Sequence, residues 1–183
     1  MLYAIALGSN RWHGRYGRPS AVIEAAIAAL EKEKIAIHSR APIFETSAVG
    51  PGGRRYANSA IIIKTDLQPL ALLALCKKIE QAFGRRKGQR WGARVLDLDI
   101  VLWEKGRWPR KIQPRLRYKP ALAAGQPPAL WPKLHIPHLE ISRRDFVLKP
   151  LLSIAGNWPV FQKNGFFTVK QLYFRYKYLT SKQ

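Results

Sequence analysis

Apolar side chains in the first half of the chain recur at two spacings, one typical of strands and one typical of helices. Apolar and β-branched runs predict three strands, at 2–7, 34–46 and 56–65. The second contains a proline, which favours a sheet edge or a bulge. Helical spacing predicts two amphipathic helices, at 19–33 and 66–85.

A further strand lies within "RWGARVLDLDIVLW", residues 90–103, and completes the order β-α-β-β-α-β. This order predicts an α+β, ferredoxin-like βαββαβ core, with both helices on one face of an antiparallel sheet and the other face open. The length suits a single domain spanning 1–183. Within it we expect a basic, proline-rich arm at 104–134, a short helix within 135–156 and an aromatic, basic C-terminal extension at 157–183.

The strand in 90–103 carries two carboxylates one residue apart. Because side chains alternate along a strand, one set should face the helices: Leu96, Leu98, Ile100 and Leu102. The other set should share the open face: Val95, Asp97, Asp99, Val101 and Trp103. The two aspartates are then neighbours, roughly 7 Å apart at their bases, on the same accessible surface.

The net charge of the chain makes the placement of these two aspartates informative, because acidic residues are scarce. The chain has 32 Lys and Arg against 11 Asp and Glu, a net charge of +21. Such a field favours anionic partners, namely nucleotides, phosphates, nucleic acid or an acidic membrane surface, without choosing among them. The two aspartates either pair with nearby arginines (Arg85, Arg86, Arg90 and Arg94) or together hold two divalent cations beneath a polyphosphate. The second interpretation also removes their mutual repulsion.

The segment 90–103 resembles the signature of the 6-hydroxymethyl-7,8-dihydropterin pyrophosphokinase family of the folate pathway. Other motifs agree and follow the family's order: "IALGSN", "ETSAVGP" with "YANSA", "KIEQAFGR" and "IPHLEISRRDFVLKPL". The resemblance covers most of 3–156, except 104–134. It implies an enzyme that transfers pyrophosphate from ATP to the hydroxymethyl oxygen of the pterin and releases AMP, with two Mg²⁺ ions as cofactors.

The resemblance also implies a role for each matching position. Asp97 and Asp99 would hold the metal and, with Arg85 and Arg94, form the catalytic set. ATP contacts would come from Glu80, Arg85, Trp91, Arg94, His138 and Arg144. Pterin contacts would come from Thr46, Val49, Gly50, Tyr56, Asn58 and Phe146. Among these, Tyr56 and Phe146 would stack on the ring and Asn58 would bind its polar edge.

Several of these positions have a simpler structural explanation. Glu80 could form a helix-surface ion pair with Lys77, which stands where several relatives have Gln. Trp91 could serve packing alone, and a lone histidine such as His138 is more often structural. Leu98 and Ile100 lie near family nucleotide contacts, but their alternation indicates core. A solvated basic surface would account for Arg86, Lys87, Arg90 and Arg143.

Partners and location complete the expectations. The main alternative function is a ferredoxin-like RNA-binding protein that uses its basic surface and arm, with aromatic side chains stacking on bases. No apolar run reaches membrane-spanning length and Cys76 is the only cysteine, so we expect a cytoplasmic protein. We further expect a monomer, whose loops at 50–55 and 85–94 close over the substrates.

Overall fold

The computed structural model describes residues 1–46, 56–84, 95–109, 134–162 and 165–182. Its elements up to the arm are β1 (Leu2–Ser9), α1 (Pro19–Lys32), β2 (Ala36–Arg40), β3 (Phe44–Thr46), β4 (Tyr56–Lys64), α2 (Pro69–Ala82) and β5 (Asp97–Trp103). A 3₁₀ turn at Ile141–Arg143 follows the arm, and then come α3 (Asp145–Ala155), β6 (Pro159–Gln162), β7 (Gly165–Thr168) and α4 (Val169–Thr180). The predicted strand at 34–46 is therefore two short strands, β2 and β3.

Five strands form one antiparallel sheet in the order β2-β4-β1-β5, with β3 also paired to β4. The two central strands, β1 and β4, pair over their whole length, from Leu2 opposite Lys64 to Ser9 opposite Ala57. A mixed α/β protein with an antiparallel sheet, as the hydrophobic pattern predicts, is confirmed. A second sheet contains only the hairpin of β6 and β7.

One face of the large sheet packs against α1 and α2 and forms the first core. Both helices begin with a proline in the first turn, where its missing N–H costs no hydrogen bond. Their apolar stripes are buried against alternate residues of the strands, among them Ile5, Leu98 and Ile100. Cys76 of α2 lies in this core as a free, buried thiol.

Helices also cover part of the opposite face, so the prediction of helices on one face only is wrong. There α3 and α4 form the second core with Ala4 and Ala6 of β1 and with Ala60 and Ile62 of β4. Three of these four strand residues are alanines, whose small side chains allow a helix to approach the sheet closely. The second layer comes from the region after the arm, to which the sequence assigned one short helix.

A bulge in β5 changes which residues face each core. Ile5 pairs with Ile100 and Ala4 with Leu102, so Val101 is left without a partner in the register. Beyond it the alternation reverses, as expected for one extra residue in a strand. Leu102 lies in the second core and Trp103 in the first, opposite to the predicted faces of both.

The described ends of the arm lie side by side. Trp108 and Ile136 exchange backbone hydrogen bonds of 2.8 and 3.0 Å, so the chain leaves and re-enters the fold at one place. Residues 110–133, most of the predicted arm, lie outside the described residues. Within the described ranges, no helix combines the length and apolarity that crossing a membrane requires.

Candidate active site

Asp97 and Asp99 lie at the start of β5, opposite Gly8 and Ala6 of β1. Leu98 and Ile100, which alternate with them, are buried in the first core. Both aspartates therefore project from the other face, as predicted, and both are only partly buried. Two neighbouring carboxylates are accessible on one surface.

Gly8 separates Asp97 from the polar end of β4. It pairs with Asp97 on one side and with Asn58 on the other. A Cβ at Gly8 would lie 3.5 Å from Oδ1 of Asn58, so the amide extends over the glycine. Asn58 is buried, with 5% of its surface exposed. A residue without a side chain thus leaves room on the sheet between the amide and the carboxylate.

The remaining strands contribute aromatic side chains to the same face. Tyr56 and Asn58 alternate along β4, and their β3 partners are Thr46 and Phe44. The ammonium of Lys149 lies 4.8 Å from the centre of the Phe44 ring. Tyr56 is 39% exposed, which excludes it from the core. An accessible aromatic side chain therefore stands next to the buried Asn58.

The sheet face forms one wall of the candidate site, and the segment that follows the arm forms a second wall. The backbone N–H of His138 donates to the carbonyl of Val101 at 3.1 Å and fastens this segment to β5. Nη1 of Arg144 lies 3.6 Å from Oδ2 of Asp99. The Arg144 guanidinium is also 5.8 Å from the ring centre of Phe146, which is 43% exposed. Arg144 thus links the carboxylate pair to an exposed aromatic ring.

His138 is half-buried within the electrostatic field of both aspartates. Burial lowers the pKa of its imidazole below the ordinary value, and Arg144 acts in the same direction, while Asp99, Glu140 and Asp97 oppose it. Its Nδ1 accepts the backbone N–H of Glu140 at 3.2 Å. The proton of the neutral ring therefore sits on Nε2, which can donate to an anion.

Glu80 supports the strand from the side of α2. Its carboxylate is fully buried, and Oε1 accepts the backbone N–H of Leu98 at 2.9 Å and the ammonium of Lys77 at 2.7 Å. The ion pair with Lys77 exists, but Glu80 is not on the helix surface. The carboxylate holds the peptide unit that joins Asp97 to Leu98.

The donor set suits a magnesium ion shared with a ligand. Among the residues described, no group of three or more His, Cys, Asp or Glu side chains is arranged to hold a metal. Mg²⁺ is commonly bound by one or two carboxylates, with water and substrate phosphate completing its octahedron. Asp97 and Asp99 match that pattern, whereas a metal enclosed entirely by protein ligands does not fit here.

The structure brings together six of the predicted site residues, namely Asp97, Asp99, Asn58, Tyr56, His138 and Arg144, and Phe146 lies beside Arg144. Thr46 is placed by its backbone pairing alone. Five predicted residues lie outside the described ones: Val49, Gly50, Arg85, Trp91 and Arg94. The two predicted closing loops, 50–55 and 85–94, lie there as well.

Sequence reasoning missed Gly8 and Phe44. Gly8 was taken as the end of a strand, but β1 continues through Ser9. The sequence feature that could have identified Gly8 is the motif "IALGSN", where glycine interrupts an apolar run. Phe44 lies in the short strand directly opposite Asn58, and no sequence pattern distinguished it from a core aromatic.

Comparison with known proteins gives a consistent result. Residues 4–156 match the family model described as 7,8-dihydro-6-hydroxymethylpterin-pyrophosphokinase (HPPK). A 2-amino-4-hydroxy-6-hydroxymethyldihydropteridine pyrophosphokinase of Pseudomonas aeruginosa is 31% identical over 153 residues, covering 82% of this chain and 78% of the relative. A mitochondrial folate synthesis bifunctional protein of Pisum sativum is 33% identical over 156 residues, covering 83% of this chain and 25% of that protein.

A solved structure agrees at the level of fold. The crystal structure of an HPPK-DHPS protein in complex with substrates superposes with a TM-score of 0.67 at 12% identity. The match covers 100% of this chain and 45% of the solved one. At this identity the likeness shows the fold alone.

Proposed function

This chain belongs to the 7,8-dihydro-6-hydroxymethylpterin-pyrophosphokinase family, and from that premise we propose that the sheet face bearing Asp97 and Asp99 is its active site. The chain is an ATP-dependent pyrophosphokinase of folate synthesis, with ATP and a pterin as substrates. In the reaction we propose, the hydroxymethyl oxygen of 6-hydroxymethyl-7,8-dihydropterin attacks the β-phosphorus of ATP. Pyrophosphate is transferred and AMP leaves.

Asp97 and Asp99 would hold two Mg²⁺ ions in this proposal. Their position on one face, half-exposed and one residue apart, supports it. When bound, the metal neutralises charge on the phosphate oxygens. The strand fixes the two carboxylates in place, so they contribute orientation at no cost of rearrangement.

Arg144 and His138 would bind the triphosphate from the second wall. The guanidinium offers several donors, and Nε2 of the neutral His138 ring offers another. Arg85, Trp91 and Arg94 complete the predicted nucleotide set and remain predictions. Direct contact of Glu80 with the nucleotide also remains a prediction, and its bond to Leu98 supports a role in holding the strand.

The pterin would lie between exposed aromatic rings, with its polar edge toward the sheet. Tyr56 and Phe146 supply exposed rings, and the buried Asn58 amide supplies a donor and an acceptor. Thr46, Val49 and Gly50 complete the proposed pterin set. Closure of 50–55 and 85–94 over both substrates would exclude water from the reacting phosphate.

The expectations on strand order, oligomeric state, number of metal ions and RNA binding differ in how well they are supported. The strand order β2-β4-β1-β5 is the one that a ferredoxin-like core would give if β2 and β3 count as a single interrupted strand. We retain a single-domain monomer with two metal ions as the simplest arrangement. RNA binding on the open sheet face loses part of its proposed surface, because α3 packs against β4, β1 and β3 there.

One observation carries the proposal: Asp97 and Asp99 share a half-buried face, with Arg144 within 3.6 Å of Asp99. The test is AMP release from ATP, Mg²⁺ and the pterin alcohol by wild type and by Asp97→Ala and Asp99→Ala. We expect turnover by wild type alone. An inactive wild type, or two fully active variants, would overturn the assignment, and salt-dependent RNA binding without turnover would favour the alternative.

A further inference from the structure

The residues beyond the family match form a compact addition to the fold. The match ends at Gly156, and after it come the β6–β7 hairpin and α4. Val169 and Leu172 of α4 are buried in the second core together with Leu148 and Leu151 of α3. A capping box between Thr168 and Gln171 fixes the start of α4. The extension is therefore packed on α3, the helix that begins beside the site.

An ion pair connects the far end of α4 to the first residue of α3. Nζ of Lys177 donates to Oδ2 of Asp145 at 3.1 Å, and this bond raises the pKa of the Lys177 ammonium. The other oxygen of Asp145, Oδ1, is buried and accepts no hydrogen bond within the described part of the chain. Among the described residues, Lys177 is thus the cation that pairs with Asp145.

Asp145 lies between two residues of the proposed site. Arg144 precedes it and reaches Asp99, and Phe146 follows it with its ring exposed. Arg144 is also the N-cap of α3, and it makes no side-chain capping bond to that helix. The first turn of α3 therefore has no capping side chain to fix it. The bond from Lys177 reaches the first residue of this turn.

We propose that Lys177 is a positioning residue of the pyrophosphokinase site. By holding Asp145, it fixes the first turn of α3 so that Arg144 faces the triphosphate and Phe146 faces the pterin. This role rests on the proposed function of Arg144 and Phe146. It assigns to a segment outside the family match a part in binding both substrates.

A purely local role for Lys177 is the competing explanation. Its ammonium also lies 5.5 Å and 6.0 Å from the ring centres of Tyr173 and Tyr176 on its own helix. If those contacts were its purpose, removing Lys177 would change the stability of α4 and leave substrate binding unchanged. Kinetic constants for the two substrates separate the explanations.

The experiment compares Lys177→Ala, Lys177→Arg and Lys78→Ala. Lys78 is a matched control, because it forms an exposed ion pair of similar length, 2.8 Å, with Glu33, between the ends of α2 and α1. We expect Lys177→Ala to raise KM for ATP and for the pterin by about two- to fivefold, equivalent to about 0.4–1 kcal/mol, with a smaller change in kcat. Lys177→Arg should restore both KM values.

Lys78→Ala should leave both KM values unchanged and move the denaturation midpoint as much as Lys177→Ala does. The proposal is overturned if Lys177→Ala has wild-type KM values, or if Lys78→Ala raises them equally.

A readout without turnover keeps this result separate from the proposed function. The Nε–Hε NMR signal of Arg144 should shift in Lys177→Ala but not in Lys78→Ala, and an unmoved signal contradicts the proposal even if wild type is inactive.

Discussion

The two faces of the large sheet are built from the same strands and differ in what they bury. On the first-core face, Leu98 and Ile100 are closed off beneath α1 and α2. On the other face, one position away along β5, Asp97 and Asp99 stay partly exposed beside Arg144. The alternation of one strand thus separates residues that stabilise the fold from residues that we propose meet the substrate, and substitutions at adjacent positions should have unlike effects.

The largest effect is expected from the carboxylates. Asp97→Asn and Asp99→Asn keep the size of each side chain but remove the charge that would hold magnesium. We expect each to lower kcat/KM for AMP release by about 10²–10³-fold or more, since charge stabilisation of this kind contributes several kcal/mol to a phosphoryl-type transfer. Chemical denaturation should show nearly unchanged stability, because both side chains are accessible to water. An aspartate variant that lost stability and activity together would contradict the division of roles between the two faces.

Leu98, between the two aspartates, should behave in the opposite way. It is fully buried in the first core, so Leu98→Ala leaves a cavity. We expect the free energy of unfolding to fall by about 2–5 kcal/mol. In the fraction that remains folded, kcat/KM should change far less than in the aspartate variants. Urea denaturation followed by circular dichroism measures the loss, and a change below about 1 kcal/mol would mean that this face is not closed.

Phe146 tests the open face with an uncharged residue. Its ring is 43% exposed, so Phe146→Ala should cost little stability. Loss of a stacking partner should weaken pterin binding by about tenfold, while ATP binding changes less. Quenching of pterin fluorescence provides the affinity. Phe174→Ala, at an exposed phenylalanine of α4, is the matched control and should bind the pterin normally.

Cys76, on the covered face, provides the test with the smallest expected effect. The quantity measured is the pH dependence of the free energy of unfolding. Burial raises the pKa of its thiol from 9.0 to about 12. The unfolded chain therefore releases this proton first, so the stability that the neutral thiol contributes is complete below pH 9 and is lost as pH rises toward 12. Between pH 9 and 10, wild type should lose about 1 kcal/mol more than Cys76→Ala. Parallel pH profiles would show that the thiol is not shielded.

The fold could be predicted from sequence wherever one period holds along a whole element. The alternation of β5 placed Asp97, Leu98, Asp99 and Ile100 correctly, because each has its regular partner on β1. It failed for Leu102 and Trp103 because the bulge at Val101 depends on how β5 pairs with another strand. An apolar run gives no sign of such a bulge.

The second layer was harder to predict for a different reason. In α4, only Val169 and Leu172 are buried, and tyrosines and phenylalanines occupy exposed positions as well. Aromatic residues on both sides of a helix hide its period. The alternative explanation for Glu80, an ion pair on the helix surface, is wrong about its burial, because Glu80 follows Cys76 by four residues and so shares the buried stripe of α2. The predicted function did not depend on the burial of α4 or of Glu80, since it rested on motifs.

The proposed function requires Asp97 and Asp99 together to hold metal beneath the phosphates of ATP. Crystals grown with a nonhydrolysable ATP analogue, the pterin and Mn²⁺ in place of Mg²⁺ test it directly, because anomalous scattering locates manganese independently of the atomic model. We expect two anomalous peaks, about 3.5–4 Å apart, within about 2.5 Å of oxygens from both carboxylates. Peaks elsewhere, or both aspartates bonded only to arginine with ATP bound, would contradict it.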